Sequence, residues 1–447
     1  MSTAARTAGG ITPERTVALR VLRRVDEGAY ADRALAAEAR RAELDPRQRA
    51  AAMHLAYGAV QRSRTLDWLI DGALDRPDAL EAAVRDILRL GAYELAFSDG
   101  VPDHAAVDQA VRQARSLRGA KARTSARAGL VNAVMRRIAA DAPARLAELE
   151  AAGAGSAGVR HSMPDWIVRR LVDALGEEDA IGVMQAANAP AESALRWNPL
   201  RGPREDLEAA LPEGWTRDPG IPEAYVLAGG FALEDSEVWE RGLAIGQSRA
   251  SQLVAHAVAP QAGERILDLC AAPGAKTTHL AALAEGAARI TAVELHPARA
   301  RTLRTLAARM GVDVEVLEGD AREVPLDEGF DAVLVDPPCT GTGVLSSRPD
   351  ARWRRRESSL APLADLQAEI LGRALALVRP GGRVVYSTCS LLAEENEDVV
   401  RATGAPLDDL AADHPDLAHP RLPGALLTLP HRHGTDGFFI ARLRREA

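Results

Sequence analysis

The sequence predicts three parts: an all-α front, a small α+β connector and an α/β rear built on a mostly parallel, doubly wound sheet. Apolar stripes at helical spacing fill the first 140 residues, Pro- and Gly-interrupted segments run from His161 to Glu240, and short apolar runs alternate with helical segments after Gly242. The 447 residues, 47% apolar and 26% charged, are ordinary globular material for two to four domains. The boundaries fall at residues 1–145 for the helical domain, 146–160 for a linker, 161–240 for the connector and 241–447 for the rear domain.

In the front part, Val17, Leu19, Val21, Leu22 and Val25 form the first amphipathic pattern, with Pro13 just inside its start. Further stripes follow at Ala50–Val60, Leu66–Leu74, Leu80–Leu95, Ala105–Leu117 and Ala126–Ile138. Asp45-Pro46, Arg76-Pro77 and Gly100-Val101-Pro102 punctuate them. The Ala/Gly-rich stretch that comes next reads as the linker.

In the rear part, strands are expected at Arg265–Cys270, Ile290–Leu295, Val312–Leu317, Asp331–Asp336 and Arg383–Ser387. Helices are expected at Thr277–Ala284, Pro297–Met310 and Ala364–Val378, and Gly437–Leu443 can pair with Leu426–Leu429 as an antiparallel edge.

The net charge of −8 hides an asymmetry. Residues 1–140 carry 23 Lys and Arg against 17 Asp and Glu; the remainder carries 32 against 46. An electropositive front suits an anionic partner. Arg112, Arg115, Arg118, Lys121, Arg123 and Arg127 occur there without one intervening acid, a strip able to meet phosphates or simply to be solvated. Three Cys in this length exclude a disulfide framework and point to a reducing compartment. Nothing reads as a signal peptide or approaches the roughly 20 apolar residues of a membrane span. The chain is therefore read as cytoplasmic and away from membranes; it is separately expected to be a monomer.

Chemistry concentrates at the strand ends. Asp268-Leu-Cys-Ala-Ala-Pro-Gly-Ala-Lys-Thr277 sits at the turn from the first strand of the rear domain into a helix, where small residues let a ligand approach free N–H groups. Its glycine spacing matches neither G-x-G-x-x-G nor a phosphate-binding loop of the Walker type. Glu294, Asp320 and Asp336 end the next three strands, and an acid after the second strand suits a ribose diol. Together these favour a nucleoside-bearing cofactor. Cys270, Cys339 and Cys389 all map to that same sheet edge. A free Cys is commonly a small buried hydrophobe, which suits Cys270; Cys339 and Cys389 follow strands among turn and hydroxyl residues. Gaps of 69 and 50 residues, without a C-x-x-C, argue against zinc. Two thiols beside a cofactor suggest covalent chemistry on an electrophilic carbon. Methylation of cytosine carbon-5 fits, because that carbon becomes nucleophilic only after a thiolate adds at carbon-6.

At these residues the sequence resembles a known family. Asp268–Thr277, Asp336-Pro-Pro-Cys-Thr-Gly-Thr-Gly343 and Tyr386-Ser-Thr-Cys-Ser390 look like the cofactor loop, Pro-Cys and Thr-Cys motifs of RNA (cytosine-5)-methyltransferases. Arg196-Trp-Asn198, Gln247, Ser251-Gln252 and Asp436-Gly-Phe-Phe439 look like flanking motifs. The front half resembles a NusB-like RNA-binding domain through Ala56-Tyr-Gly58, Leu88–Tyr93 and Leu130–Arg137. The pairing is similar to the small-subunit ribosomal RNA methyltransferase B (RsmB, or Sun) subfamily.

The resemblance implies a Rossmann-like, class I methyltransferase domain using S-adenosylmethionine, and 16S ribosomal RNA as the substrate. It implies Cys389 as the nucleophile that bonds to cytosine carbon-6, Cys339 as the thiol that assists proton removal and release, and Asp336 at the cytosine ring and the cofactor. Lys276 is assigned a part in catalysis and cofactor binding. Cys270, Ala271, Ala272, Pro273, Gly274, Ala275, Lys276, Glu294, Arg299, Asp320 and Asp336 would hold S-adenosylmethionine. Ala275 stands where the family usually has glycine, which matters only if the backbone there needs φ > 0. RNA would meet both the basic helical domain and the catalytic cleft. Two other readings are weighed: a DNA cytosine-5 methyltransferase with Cys339 as nucleophile, and a non-catalytic RNA-binding or ribosome assembly factor. The second thiol and the helical front speak against the first; the intact thiol pair speaks against the second.

Overall fold

The structure, a computed structural model, describes residues 10–446. The described residues divide into two compact units, 10–169 with 348–354, and 170–347 with 355–446.

The first unit is helical: α1 (Pro13–Asp26), α2 (Ala31–Arg41), α3 (Pro46–Gln61), α4 (Ser63–Gly72), α5 (Ala82–Phe97), α6 (Asp103–Ser116), α7 (Lys121–Ala151) and the short α8 (Ala157–Arg160). Pro13 occupies the first turn of α1, where its missing N–H costs nothing. Asp45 and Gln48 close a reciprocal capping box on α3. Val17, Val21, Leu22, Leu66, Ile70, Ile87, Leu88, Val131 and Ile138 belong to one continuous core. Helix α7 runs on to Ala151 across Pro143, so much of the expected 146–160 linker is helix. Ala-rich sequence is good helix former, and only at Gly153 does the composition cease to support a helix.

Helix α9 (Asp165–Leu175) carries the chain into the second unit, and α10 (Glu177–Ala186) follows. There β1 (Ala194–Trp197), α11 (Arg204–Ala210), β2 (Trp215–Arg217), β3 (Ala224–Leu227), α12 (Glu237–Glu240) and β4 (Ala244–Gly246) build an antiparallel sheet ordered β2-β3-β1-β4. This connector sheet extends past residue 240 and forms one compact unit with the rear domain, so the expected cut at 240/241 is not a division of the structure.

The main sheet comprises β5 (Arg265–Asp268), β6 (Arg289–Glu294), β7 (Glu315–Glu318), β8 (Phe330–Val335), β9 (Val378–Thr388), β10 (Leu426–Thr428) and β11 (Phe438–Arg444), in the order β10-β11-β9-β8-β5-β6-β7. Helices α13 (Arg249–Val258), α14 (Ala275–Leu283), α15 (Pro297–Met310), α16 (Ala351–Arg354), α17 (Leu360–Leu377), α18 (Glu397–Ala402) and α19 (Pro430–His433) complete the chain. Strands β7-β6-β5-β8-β9 are parallel. β11 is antiparallel to β9 and to β10, in the hairpin register Leu426↔Ile440. Ile266, Leu334, Val385 and Ile440 pack in one core beneath α13 and α14 residues such as Val254 and Leu280. All five parallel strands therefore run the same way, and their carboxyl ends share one edge.

Candidate active site

The turn from β5 into α14 starts with Asp268, whose buried side chain accepts a hydrogen bond from Thr277 Oγ1 at 2.7 Å. Burial pushes this carboxyl up to about 6. Gly274 has φ +110°, so the backbone there favours glycine, and a Cβ would also press on the end of the Leu303 side chain. Ala275 is the first residue of α14 and has no positive φ. The departure from the usual glycine is thus accommodated by an ordinary helical backbone.

Arg196 braces this turn from the connector. Its side chain is fully buried and donates to Ala275 O, to Gln247 Oε1 at 2.6 Å and to Thr278 Oγ1 at 2.9 Å. The sequence marks Arg196 and Gln247 as motif members but gives them no role; a rare full burial of Arg is the structural reason for their pattern.

The acids line the strand ends in spatial order: Asp336 beyond β8, Asp268 at β5, Glu294 at β6 and Asp320 beyond β7. Glu294 is buried and accepts His296 N–H at 2.9 Å, with Arg299 Nη1 3.6 Å from its other oxygen. Arg299 also donates to Ala272 O at 2.6 Å, tying the β5–α14 turn to α15. Asp320 is chelated by Arg322 at 3.0 and 2.7 Å, which holds its carboxyl down at about 2. Burial and the neighbouring Asp268, Asp336 and Glu294 push the Cys270 thiol up, which suits a packed residue rather than a nucleophile. A ring of carboxylates around a small-residue turn fits a ligand that carries a ribose diol and a cationic sulfonium.

Cys339 and Cys389 meet. Their sulfurs are 3.2 Å apart, each just beyond the carboxyl end of its strand, β8 or β9. The contact with Cys389, then burial, and the charges of Glu395 and Asp336 push the Cys339 thiol up. Asp336 accepts from Lys276 Nζ at 2.7 Å and from Ser387 Oγ at 3.1 Å. Lys276 Nζ also lies 5.0 Å from the Phe438 ring centre, a cation–π contact with the Asp436–Phe439 motif. Gly343 and Gly437 touch backbone to backbone: Gly437 N–H donates to Gly343 O at 2.8 Å, and Gly343 N–H donates to Cys389 O at 2.9 Å. A Cβ on Gly343 would overlap Gly437 O. Four motifs far apart in sequence are thereby locked into one surface.

Sequence reasoning missed Glu395, which is fully buried behind the thiols. It accepts Thr340 N–H at 2.8 Å, the Thr340 hydroxyl, and Gln367 Nε2–H at 3.1 Å. No local signal set it apart, because Glu395 stands in the acidic run Glu394-Glu395-Asn396-Glu397-Asp398 shortly after Cys389. A second buried cluster is Glu223, His256 and His279, in which the carboxylate accepts from both imidazoles. Burial, with the nearby Arg196 cation, holds His279 down at about 3. The same buried cation opposes a divalent ion there, and the cluster serves as a hydrogen-bonded brace between β3, α13 and α14.

In the helical unit the basic strip is partly neutralised. Arg112 pairs with Asp108, and Arg123 and Arg127 pair with Glu81, an acid distant in sequence. Arg115, Arg118 and Lys121 stay exposed. Among the described residues, no helix is long and apolar enough to cross a membrane.

Comparison with known proteins agrees with the folds of both units. The family described as 16S rRNA methyltransferase RsmB/F matches residues 255–444, and the NusB family matches residues 12–140. The chain is 39% identical over 97% of both chains to the putative methyltransferase Rv1407 of Mycobacterium tuberculosis. It is 32% identical to the probable ribosomal RNA small subunit methyltransferase B of Bacillus subtilis, over 97% of this chain and 99% of that one. The solved structure of PH0851 superposes with a TM-score of 0.80 at 26% identity, covering 97% of this chain and 99% of its own. A methyltransferase homologue from Pyrococcus horikoshii gives 0.57 at 29% identity over 65% and 97%. With its carboxylate-lined turn after β5 and its paired motifs, the chain belongs to the RsmB/F family of methyltransferases that use S-adenosylmethionine.

Proposed function

We propose that this protein methylates carbon-5 of a cytosine in small-subunit (16S) ribosomal RNA through a covalent adduct with Cys389. The observation that carries the reading is the 3.2 Å separation of the Cys339 and Cys389 sulfurs, with Asp336 on the adjoining strand end. Methyl transfer to a group that is already nucleophilic needs no thiol, and two touching sulfurs at the site favour chemistry that uses both. Names of relatives such as the B. subtilis protein support ribosomal RNA as the substrate.

When bound, S-adenosylmethionine supplies a methyl group made electrophilic by its sulfonium. The Cys389 thiolate adds to carbon-6 of the pyrimidine, and the ring electrons move toward carbon-5 and N3. Asp336, held in place by Lys276 and Ser387, stabilises the ring at N3 by a hydrogen bond donated from its carboxyl in the acid form, so that N3 gains a proton share as the electrons arrive. Carbon-5 takes the methyl group; its proton then leaves to a base, assisted by Cys339, the double bond re-forms, and the Cys389 thiolate is expelled. The residues that hold the cofactor in this reading are Cys270–Lys276, Glu294, Arg299, Asp320 and Asp336. A base inside a duplex cannot reach two thiols, so the target cytosine is unpaired or extruded. Three cysteines with no disulfide among them support a cytoplasmic setting.

The test is capture of a denaturation-resistant protein–RNA adduct. C339A is expected to accumulate it and C389A to form none; the reverse pattern would make Cys339 the nucleophile and overturn the assignment.

A further inference from the structure

Two thiols in van der Waals contact cannot both ionise readily, and the adduct chemistry needs the charge on a particular one. The surroundings of the pair are lopsided. Glu395 lies behind the Cys339 side, where its carboxylate accepts both the backbone N–H and the hydroxyl of Thr340, the residue directly after Cys339. Having given its proton to Glu395, the Thr340 hydroxyl can only accept from Ser390 Oγ, 3.1 Å away and directly after Cys389. The Ser390 oxygen in turn receives Leu392 N–H at 3.2 Å. A chain of hydrogen bonds therefore joins the two cysteine loops one residue beyond each sulfur. Gln367, which donates to Glu395 and to Pro338 O at 2.9 Å, anchors its far end.

We propose that Glu395 is a positioning residue for the thiol pair, which fixes the Cys339 loop through Thr340 and biases the shared proton onto Cys339, leaving Cys389 as the thiolate that attacks. This deepens the covalent reading given above and rests on it for the identity of the attacking sulfur. The charged and titratable groups facing Cys339 are Cys389, Glu395, Asp336 with Lys276 upon it, and Tyr386; Arg355 donates to the Cys339 carbonyl at 2.8 Å. Glu395 and Asp336 both oppose a thiolate at Cys339. Asp336 has Lys276 as a counter-charge, whereas the donors to Glu395 among the described residues, Thr340 and Gln367, are neutral. In this proposal, with the Cys339 loop held against Glu395 through Thr340, the first proton lost to solvent is the one on Cys389. Once Cys389 is bonded to carbon-6 it has no proton to lose, its contribution against a charge on Cys339 disappears, and Cys339 ionises more readily than before. The order of the two ionisations matches the order in which the reaction uses them.

The experiment is alkylation of the reduced full-length protein by iodoacetamide across pH 6–10, without RNA or cofactor, with Cys339 and Cys389 peptides quantified by mass spectrometry. In the wild type, Cys389 should react with a lower pH midpoint than Cys339. In E395Q, which keeps the shape and removes the charge, the Cys339 midpoint should fall by about one pH unit, about tenfold in rate at a fixed pH below it. E395D should restore much of the wild-type separation. An unchanged Cys339 profile in E395Q of native circular dichroism would overturn the proposal. If E395Q does not fold, the wild-type titration decides: equal midpoints, or a lower one for Cys339, overturn it. Because the readout involves no methyl transfer, its failure is separate from a failure of the adduct experiment.

Discussion

Lys276 Nζ donates to Asp336 Oδ2 at 2.7 Å, joining the first turn of α14 to the end of β8 across the site. One of only two lysines in the chain is spent on this contact. The pair is only partly exposed, so it orients the carboxylate more firmly than a surface ion pair would. K276M should lower the rate of methyl transfer by about 10²-fold, the usual scale for losing one preorganised electrostatic contact. S-adenosylmethionine affinity, read by calorimetry, should also fall, since Lys276 is among the residues that hold the cofactor, but by a smaller factor than the single-turnover rate.

The turn that carries Gly274 and Ala275 offers a contrast between neighbours. G274A forces a positive φ on a Cβ-bearing residue and overlaps Leu303, so it should cost about 1–3 kcal/mol in urea unfolding and weaken cofactor binding. A275G should change unfolding by no more than about 1 kcal/mol, the helix cost of glycine. Similar losses from both would mean that the backbone strain lies elsewhere.

His279 gives stability a pH dependence of known sign. Burial depresses its folded value to about 3, so the unfolded chain takes up the proton first as pH falls. Its contribution is complete above about 6.5 and is lost progressively from there down to about 3. Between pH 7.5 and 5.5 this residue should remove about 1.4 kcal/mol of unfolding free energy. H279Q, compared with the wild type by urea unfolding at both values, should show a correspondingly shallower loss.

RNA binding should separate paired from exposed arginines. Replacing Arg115, Arg118 and Lys121 with Ala should flatten the dependence of log affinity on log salt by about 0.7 for each phosphate no longer neutralised. R123A should have a smaller effect, since Glu81 already neutralises that guanidinium. Equal effects in a filter-binding titration would show that the Glu81 pairing does not persist when RNA binds.

Much of this site was readable from sequence because strand ends are. The runs before Asp268, Glu294 and Asp336 are apolar and short, and in a parallel sheet their ends must share an edge, so the three acids and the three thiols followed. The edge hairpin between Leu426 and Ile440 followed from composition too. The division between units did not. Ala serves both helices and linkers, and the stretch before Ala151 therefore looked like a tether although α7 continues through it. Glu395 was hidden for another reason: its partners Thr340 and Gln367 come from two other segments, and no local pattern records a contact made only by folding. Asp320 looked like a ligand for cofactor, yet Arg322, two residues on, already grips it, so any diol must compete with that guanidinium.

The helical unit is not a continuous piece of polypeptide. Residues 348–354 belong to it, with Arg352 Nη1 donating to Gln61 O at 3.1 Å and to Ser162 O at 3.2 Å, Trp353 Nε1 to Val60 O at 2.8 Å, and Arg354 stacked 3.4 Å over Tyr30. A shortened protein that stops after Arg169 would lose the Arg352 and Trp353 hydrogen bonds to those carbonyls and the Arg354 contact with Tyr30. Dissecting the enzyme by truncation will therefore understate what the amino-terminal portion does, and supplying the 348–354 segment as a separate peptide is the way to restore it.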